Sequence, residues 1–311
     1  MGVWIDTDMG FDDIAAILTV RASGEKIDGL SLTFGNTTLA KVCSNAASAA
    51  KVFDWTFPIH AGAGRAVMGN VETAASILSD AGMPTAGLSL PEATLPPSDP
   101  AFVALCNWLS KDDGEKRILA LGPLTNIAAL CLARPDLAGR ISEILWMGGG
   151  VTSGNHTASA EFNALADPEA AAIILSRGIP FVMADLDFCR KVTINADDVA
   201  ALRAENGRNA PLLADLTEGF LNIAAKRGRT EMAFFDPAAA VAFCHPSLVS
   251  LQPVHLAFET AGHITRGRSV VETRAHKLAP ETSFNASIIT EVDANAAHDT
   301  IMGALQAEAR R

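Results

Sequence analysis

Short apolar runs that read as strands alternate with runs of helical apolar spacing over most of the first two-thirds of this chain. That alternation restricts the fold more than any other feature. Strand-like runs cover residues 2–5 (GVWI), 29–35 (GLSLTFG), 58–62 (PIHAG), 117–122 (RILALG), 143–149 (EILWMGG) and 181–185. Between them, helical spacing starts at Asp12 with Ile14, Ala15, Ile17 and Leu18, and recurs over 39–53, 124–133 and 168–177. Such β-α-β alternation implies α/β architecture: an open, mostly parallel β-sheet flanked by helices on both faces. Right-handed crossovers then gather the strand ends along one edge. Further on, the pattern predicts an amphipathic helix over 199–226, a loop over 228–235 and a buried helix over 237–243 with Pro237 at its first position. Strands in LQPVHLAFE, SVVE and NASIITEV and a closing helix over 295–308 complete it. The Pro-, Gly- and Ser-rich stretch 83–100 is short and reads as a surface loop, so one domain spanning 1–311 is expected.

Four aspartates, Asp6, Asp8, Asp12 and Asp13, crowd the junction between the first strand and the first helix. Like charges this close repel, and folding alone does not call for them. Each has an ordinary explanation: Asp12 and Asp13 suit a helix N-terminus, and Asp6 or Asp8 suits a turn. Together they sit at a strand's carboxyl end, where open α/β sheets bind ligands. Carboxylates held together there call for a hard divalent cation, Ca²⁺ or Mg²⁺. An EF-hand loop fits poorly, because a strand precedes the run and no closing Glu follows.

The bulk properties exclude several classes. The chain has 311 residues, 49% of them hydrophobic and 19% charged, as expected of a globular protein. A net charge of -11 argues against a nucleic-acid partner and supplies no basic patch for a membrane surface. No apolar stretch approaches the ~18 residues of a membrane span. Asp6 and Asp8 fall where a signal peptide would have its apolar core. Five cysteines without CxxC spacing suit a reducing compartment, so a cytoplasmic location is expected. Tyrosine is absent, so any aromatic wall of a pocket must come from Phe, Trp or His.

Most other strand ends also carry polar side chains. GLSLTFG ends at Asn36, and RILALG leads into Thr125 and Asn126. WMGGG leads into Asn155, Glu161 and Asn163, and Asp236 precedes an apolar helix. Each alone could be a turn or a cap. As a set they offer carboxylates and amides with few cations, which suits sugar hydroxyls better than phosphate. At this point the chain resembles the inosine-uridine-preferring nucleoside hydrolase family over nearly its whole length. DTDMGFDD is similar to that family's DTDPGxDD, and TFGN, LGPLTNIA, GNHTASAEFNALADPEAA, FDP and HITRGRSVVE resemble further family segments in order.

The resemblance implies a Rossmann-like nucleoside hydrolase fold and hydrolysis of ribonucleosides to ribose and free base with a tightly held Ca²⁺. The ion's ligands would be Asp8, Asp13, the main-chain carbonyl of Thr125, and Asp236, and Asp8 would activate a metal-bound water. Asp12, Asn36, Asn155, Glu161 and Asn163 would surround the sugar, with Asp12 and Asn163 on the 2′ side and Asn155 and Glu161 at the 5′-hydroxyl. Family members are usually homodimers or homotetramers. Three departures stand out. Phe235 and Leu78 occupy places where many members have a histidine that helps the base leave, and Met9 stands where the family usually has Pro. A leaving-group acid is typically worth roughly 10²- to 10⁴-fold. Stacking by Phe235 or Trp4, or a donor among His156, Arg227, Arg229 and Glu231, is expected to substitute, unless the true substrate is an unusual glycoside. The Met9 replacement predicts a local turn difference.

Two rival functions are open at this stage. A haloacid-dehalogenase-like phosphohydrolase also begins with a strand and Asp-x-Asp, but it leaves Asp12, Asp13 and the EFN segment unexplained. A homologue that binds ribosides and turns them over poorly draws support from the missing histidines.

Overall fold

The computed structural model describes residues 2–279 and 282–311. Strand β1 (Gly2–Thr7) leads through the acidic turn into α1 (Phe11–Ala22), then β2 (Lys26–Leu32), α2 (Leu39–Val52), β3 (Ile59–Ala61), α3 (Ala75–Leu78) and α4 (Ala101–Ser110). Next come β4 (Arg117–Ala120), α5 (Thr125–Ala133), α6 (Pro135–Ala138), β5 (Glu143–Met147), α7 (Phe162–Ala166), α8 (Pro168–Leu175), β6 (Phe181–Ala184) and α9 (Leu186–Cys189). The last third runs β7 (Thr193–Ile194), α10 (Ala196–Arg203), α11 (Ala210–Ala225), β8 (Met232–Ala233), α12 (Phe235–Cys244), β9 (Val249–Phe258), β10 (Ser269–Glu272), β11 (Ala286–Val292) and α13 (Ala294–Ala309).

Nine strands form one sheet in the order β10-β9-β11-β6-β5-β4-β1-β2-β3. Every pairing from β11 to β3 is parallel, and only β9 and β10 add antiparallel at one edge. The strands are buried on both faces, which explains their near-continuous apolar sequences. Side chains nevertheless alternate between two cores. Val3, Ile5, Leu119, Leu145, Met147 and Val182 point to one face, covered by α1, α11, α12 and α13. Trp4, Ile118, Ile144, Trp146, Phe181 and Met183 point to the other, covered by α4, α5 and α8. The chain winds outward from β1 in both directions, through β2 and β3 on one side and β4, β5 and β6 on the other. The switch point therefore lies between β1 and β4, where ligands bind in such sheets. No helix among the described residues is long and apolar enough to cross a membrane.

Three expectations need correction. The helix expected over 199–226 is two, α10 and α11. Gly207 lies in the break, packed so closely on the end of α13 that a Cβ would overlap the Ala309 carbonyl. The segment 228–235 is not all loop, since Met232–Ala233 pairs antiparallel with Thr193–Ile194. Trp4 cannot stack on a ligand: alternation sends it into the second core, where its indole donates to Ser31 at 2.9 Å and packs against His60 and Trp108.

Candidate active site

The acidic turn after β1 is fixed by its own hydrogen bonds. Thr7 Oγ1 donates to Asp13 Oδ1 at 2.5 Å, and the Gly10 amide donates to Asp13 Oδ2 at 2.7 Å. Between them Met9 takes a left-handed backbone with φ 48° and is fully buried. A proline, locked near −65°, cannot adopt that angle, so the turn differs here from one built on Pro. Asp6 serves the scaffold. It accepts from Ser31 and from Asn126 Nδ2 (2.8 Å), while its Oδ2 is buried without a partner. Burial pushes Asp6 up to about 7 despite those bonds.

Asp8 is held from the end of β2. The Asn36 amide nitrogen donates to Asp8 Oδ2 at 2.7 Å, and Asn36 Nδ2 reaches Asp8 Oδ1 at 3.0 Å and Asp13 Oδ2 at 3.2 Å. Asn36 thus tethers two carboxylates. Gly35 beside it is packed so tightly that any Cβ would overlap the Asp8 carboxylate. Asp236 lies in the first turn of α12 and is not its cap: the residue before the helix is Phe234, which makes no side-chain bond. Carboxylate oxygens of Asp12, Asp13 and Asp236 lie within 4.8 Å of one another.

These acids line or underlie one pocket. Its wall includes Asp8, Asp12, Asn36, Asn155, Glu161, Asn163, Phe235 and Asp236, every substrate-side residue expected from the sequence. Asp13 lies behind the wall, bonded to Thr7 and Gly10. Thr125 is also absent from the lining; its hydroxyl donates to Asp167 Oδ2 at 2.5 Å at the start of α5. Of the candidate base-side donors, His156 and Arg227 line the pocket. Arg229 and Glu231 do not, and Glu231 accepts instead from Thr193 on the surface at 3.0 Å. Leu78 and Phe235 form part of the wall together with Ile77, Phe220, Ile223 and Met232.

Glu161 has a second task. It caps α7, accepting from the amides of Gly149 (2.8 Å), Asn163 (2.9 Å) and Ala164 (3.0 Å). The same carboxylate lines the pocket. Asn163 spends its amide nitrogen on the Leu121 and Met147 carbonyls, both at 3.0 Å, which leaves its side-chain oxygen as an acceptor. Asn155 accepts from the Phe162 amide at 3.0 Å, leaving its NH₂ free to donate.

The electrostatics are one-sided. Burial first, then the charge of Asp13, raises Asp8 well above the carboxylate range. The same two causes put Asp12 at about 8. Asp13 is raised by burial, and Glu161 reaches about 7 for the same reason. Asp236 is driven well up by burial and by Asp12, Asp13, Asp8 and Glu161 in turn. Five acids that resist ionisation together accept charge readily only beside a cation.

The profile of the family described as inosine-uridine preferring nucleoside hydrolase matches residues 3–299. The chain belongs to this family. It is therefore a nucleoside hydrolase by family, a hydrolase acting on N-glycosyl bonds. It is 31% identical over 296 residues to the pyrimidine-specific ribonucleoside hydrolase RihA of Escherichia coli O1:K1, with 94% of each chain covered. The RihA of Shigella flexneri serotype 5b matches to the same extent. Among solved structures, a plant nucleoside hydrolase superposes with a TM-score of 0.90 at 24% identity, covering 98% of this chain and 99% of that one. A purine-preferring ribonucleoside hydrolase from Gardnerella vaginalis gives 0.90 at 24%, covering 100% and 99%. These two establish the shared fold. The phosphohydrolase alternative gives way to this family membership.

Sequence reasoning missed Phe220 and Ile223, which reach the pocket from α11. Their only signal was a three-residue spacing on one helix, which a core-facing pair would share. Asn126, read from the sequence as a strand-end polar residue, serves the scaffold: its Oδ1 accepts from the Ala63 amide at 2.8 Å while its Nδ2 steadies Asp6.

Proposed function

We propose that this protein hydrolyses the N-glycosidic bond of ribonucleosides to ribose and free base, with Ca²⁺ at the carboxylate cluster and Asp8 as general base. The observation that carries this is the convergence of Asp8, Asp12, Asp13, Glu161 and Asp236 at one pocket, with no buried lysine or arginine in its lining among the described residues. The donor set is all oxygen, with no imidazole or thiolate among the clustered groups, and so fits a hard ion such as Ca²⁺. Asp8, Asp13 and Asp236 are its side-chain ligands in this reading, with Asp12 close by and the Thr125 carbonyl as a main-chain ligand. When bound, such an ion makes water more acidic and offers coordination to two vicinal hydroxyls.

The protein's own groups do the rest. Asp8, tethered by Asn36, takes the proton of the attacking water. Asp12 and the Asn163 oxygen accept from ribose hydroxyls on the 2′ side. Asn155 and the Glu161 carboxylate hold the 5′-hydroxyl. Positive charge on the ribose ring in an oxocarbenium-like transition state is stabilised by these oxygens. A deoxyribose leaves part of the set unpaired, which is costly in a buried site. The base faces the apolar wall of Phe220, Ile223 and Phe235. The five cysteines are free thiols, which accords with a reducing, cytoplasmic setting. A homodimer or homotetramer accords with exposed Ile264 and Val270 near the β10 edge, and light scattering tests it.

The test is chromatography of a ribonucleoside panel with chelator and with Ca²⁺ restored. Free base released only with Ca²⁺ supports the proposal, and equal release in chelator removes the ion from it. A second reading, riboside binding with negligible turnover, is favoured by Leu78 and Phe235 on the pocket wall. Saturable binding without product would select it.

A further inference from the structure

Of the base-side donors considered above, His156 and Arg227 line the pocket, and Arg227 is its one unpaired cation among the described residues. Arg227 is the only lysine or arginine on the pocket lining among the described residues. Among the described residues its side chain makes no ion pair and no hydrogen bond. Its backbone is nonetheless fixed in the turn that ends α11: the Arg227 amide donates to Ala224 O at 2.9 Å, and Gly228 follows with φ 70°. Phe220 and Ile223 reach the pocket from α11, and Arg227 reaches the same pocket from the turn just past the helix end. The other polar lining residues, apart from His156, are carboxylates and amides that suit the sugar.

A guanidinium does not serve as a general acid, because it keeps its protons. Arg227 is exposed on its turn in the free protein; from the pocket lining its guanidinium can pair with negative charge developing on a leaving group, and its planar fork suits two adjacent acceptors. We propose that Arg227 is a catalytic residue on the leaving-group side, pairing with the base as it departs as an anion and so selecting ribonucleosides of oxo bases. The inference rests on the ribonucleoside reading above. The C1′–N bond breaks with its electron pair passing to the base nitrogen. A water oxygen bonds to C1′ and its proton goes to Asp8. The base anion, paired with Arg227, takes a proton from solvent on release, and Asp8 returns its own proton to solvent. Uracil and hypoxanthine spread such charge onto carbonyl oxygens beside ring nitrogens. Adenine, with an amino group in place of the hypoxanthine carbonyl, accommodates it less well.

The experiment compares the parent protein with Arg227→Met and Arg227→Lys, with Ca²⁺ present, on inosine, uridine, adenosine and p-nitrophenyl riboside. The last carries a leaving group already stable as an anion. Arg227→Met is expected to lower kcat/KM for inosine and uridine by roughly 10²-fold and to narrow their advantage over adenosine. The drop on p-nitrophenyl riboside is expected to be much smaller, with partial rescue by Lys. An equal drop on every substrate, or none on inosine and uridine, overturns the proposal. So does His156→Phe reproducing the inosine loss while Arg227→Met leaves inosine turnover intact. A parent that cleaves none of the four overturns the ribonucleoside reading itself, an outcome separate from the failure of Arg227 alone.

Discussion

Asp8 and Asp13 carry like charges, yet one asparagine side chain donates to both. Asn36 is neutral, so it fixes the carboxylates without neutralising them, and the site keeps its demand for a cation. This separates Asp8 from its neighbours. Asp13 is bound to Thr7 and Gly10 behind the wall, while Asp8 faces the pocket. Asp8→Asn should therefore keep the fold, because an amide of equal size fits the same space. Its kcat should fall by roughly 10²- to 10⁴-fold, the usual contribution of a general base. Steady-state kinetics beside a thermal melt checks this, and near-parent kcat would remove Asp8 from that role. At this scale much of the site was legible, because Asp and Asn at strand ends have few structural reasons to cluster. Phe220 and Ile223 were not, since an apolar residue on a helix looks the same whether it faces a core or a pocket. Trp4 was misplaced for the converse reason: in a fully buried strand, sequence does not say which of two cores a side chain enters.

Among the elements, the short helix α7 does more than its five residues suggest. Its cap, Glu161, gathers three backbone amides and holds the segment that carries Asn163 against the ends of β4 and β5. The glutamate proposed above as a sugar ligand is a structural clamp. Glu161→Ala should thus lose stability as well as activity. Losing an N-cap costs about 1 kcal/mol, and a loss of about 2 kcal/mol is expected when several buried amides lose their acceptor. Urea unfolding measures it, and an unchanged midpoint would show that the cap is dispensable. The parallel strands and their long helices were legible because apolar period and length agree. Helix α4 was not predicted. Its sequence, AFVALCNWLS, directly follows the Pro-rich loop and is apolar almost all round, so no stripe marks it. The two-residue pair β7 and β8 is too short to leave a pattern of its own.

For the whole molecule, the sheet's switch point concentrates acid where the fold can least tolerate it. Asp12 stands at about 8 and Glu161 at about 7, and Asp8, Asp13 and Asp236 are also raised, chiefly by burial. Each binds its proton more tightly folded than unfolded. Their contribution to stability is therefore complete below the unfolded carboxylate values and is lost as pH rises through the folded ones. Without a divalent ion, stability should decline from ~pH 5.5 to ~pH 8.5 through these groups. Ca²⁺ reverses the cost by favouring the ionised forms, and binding displaces protons. Saturating Ca²⁺ should accordingly raise Tm only slightly near pH ~5.5 and by several degrees near pH ~8.5, as a ligand bound to the native state alone does. Thermal melts in chelator and in Ca²⁺ across that range provide the measurement. Each replacement of Asp13 or Asp236 by Asn should shrink the high-pH increment, since each removes a ligand and part of the repulsion together. An increment that is the same at both ends of the range, or that grows toward acid, would mean the ion does not sit among these carboxylates.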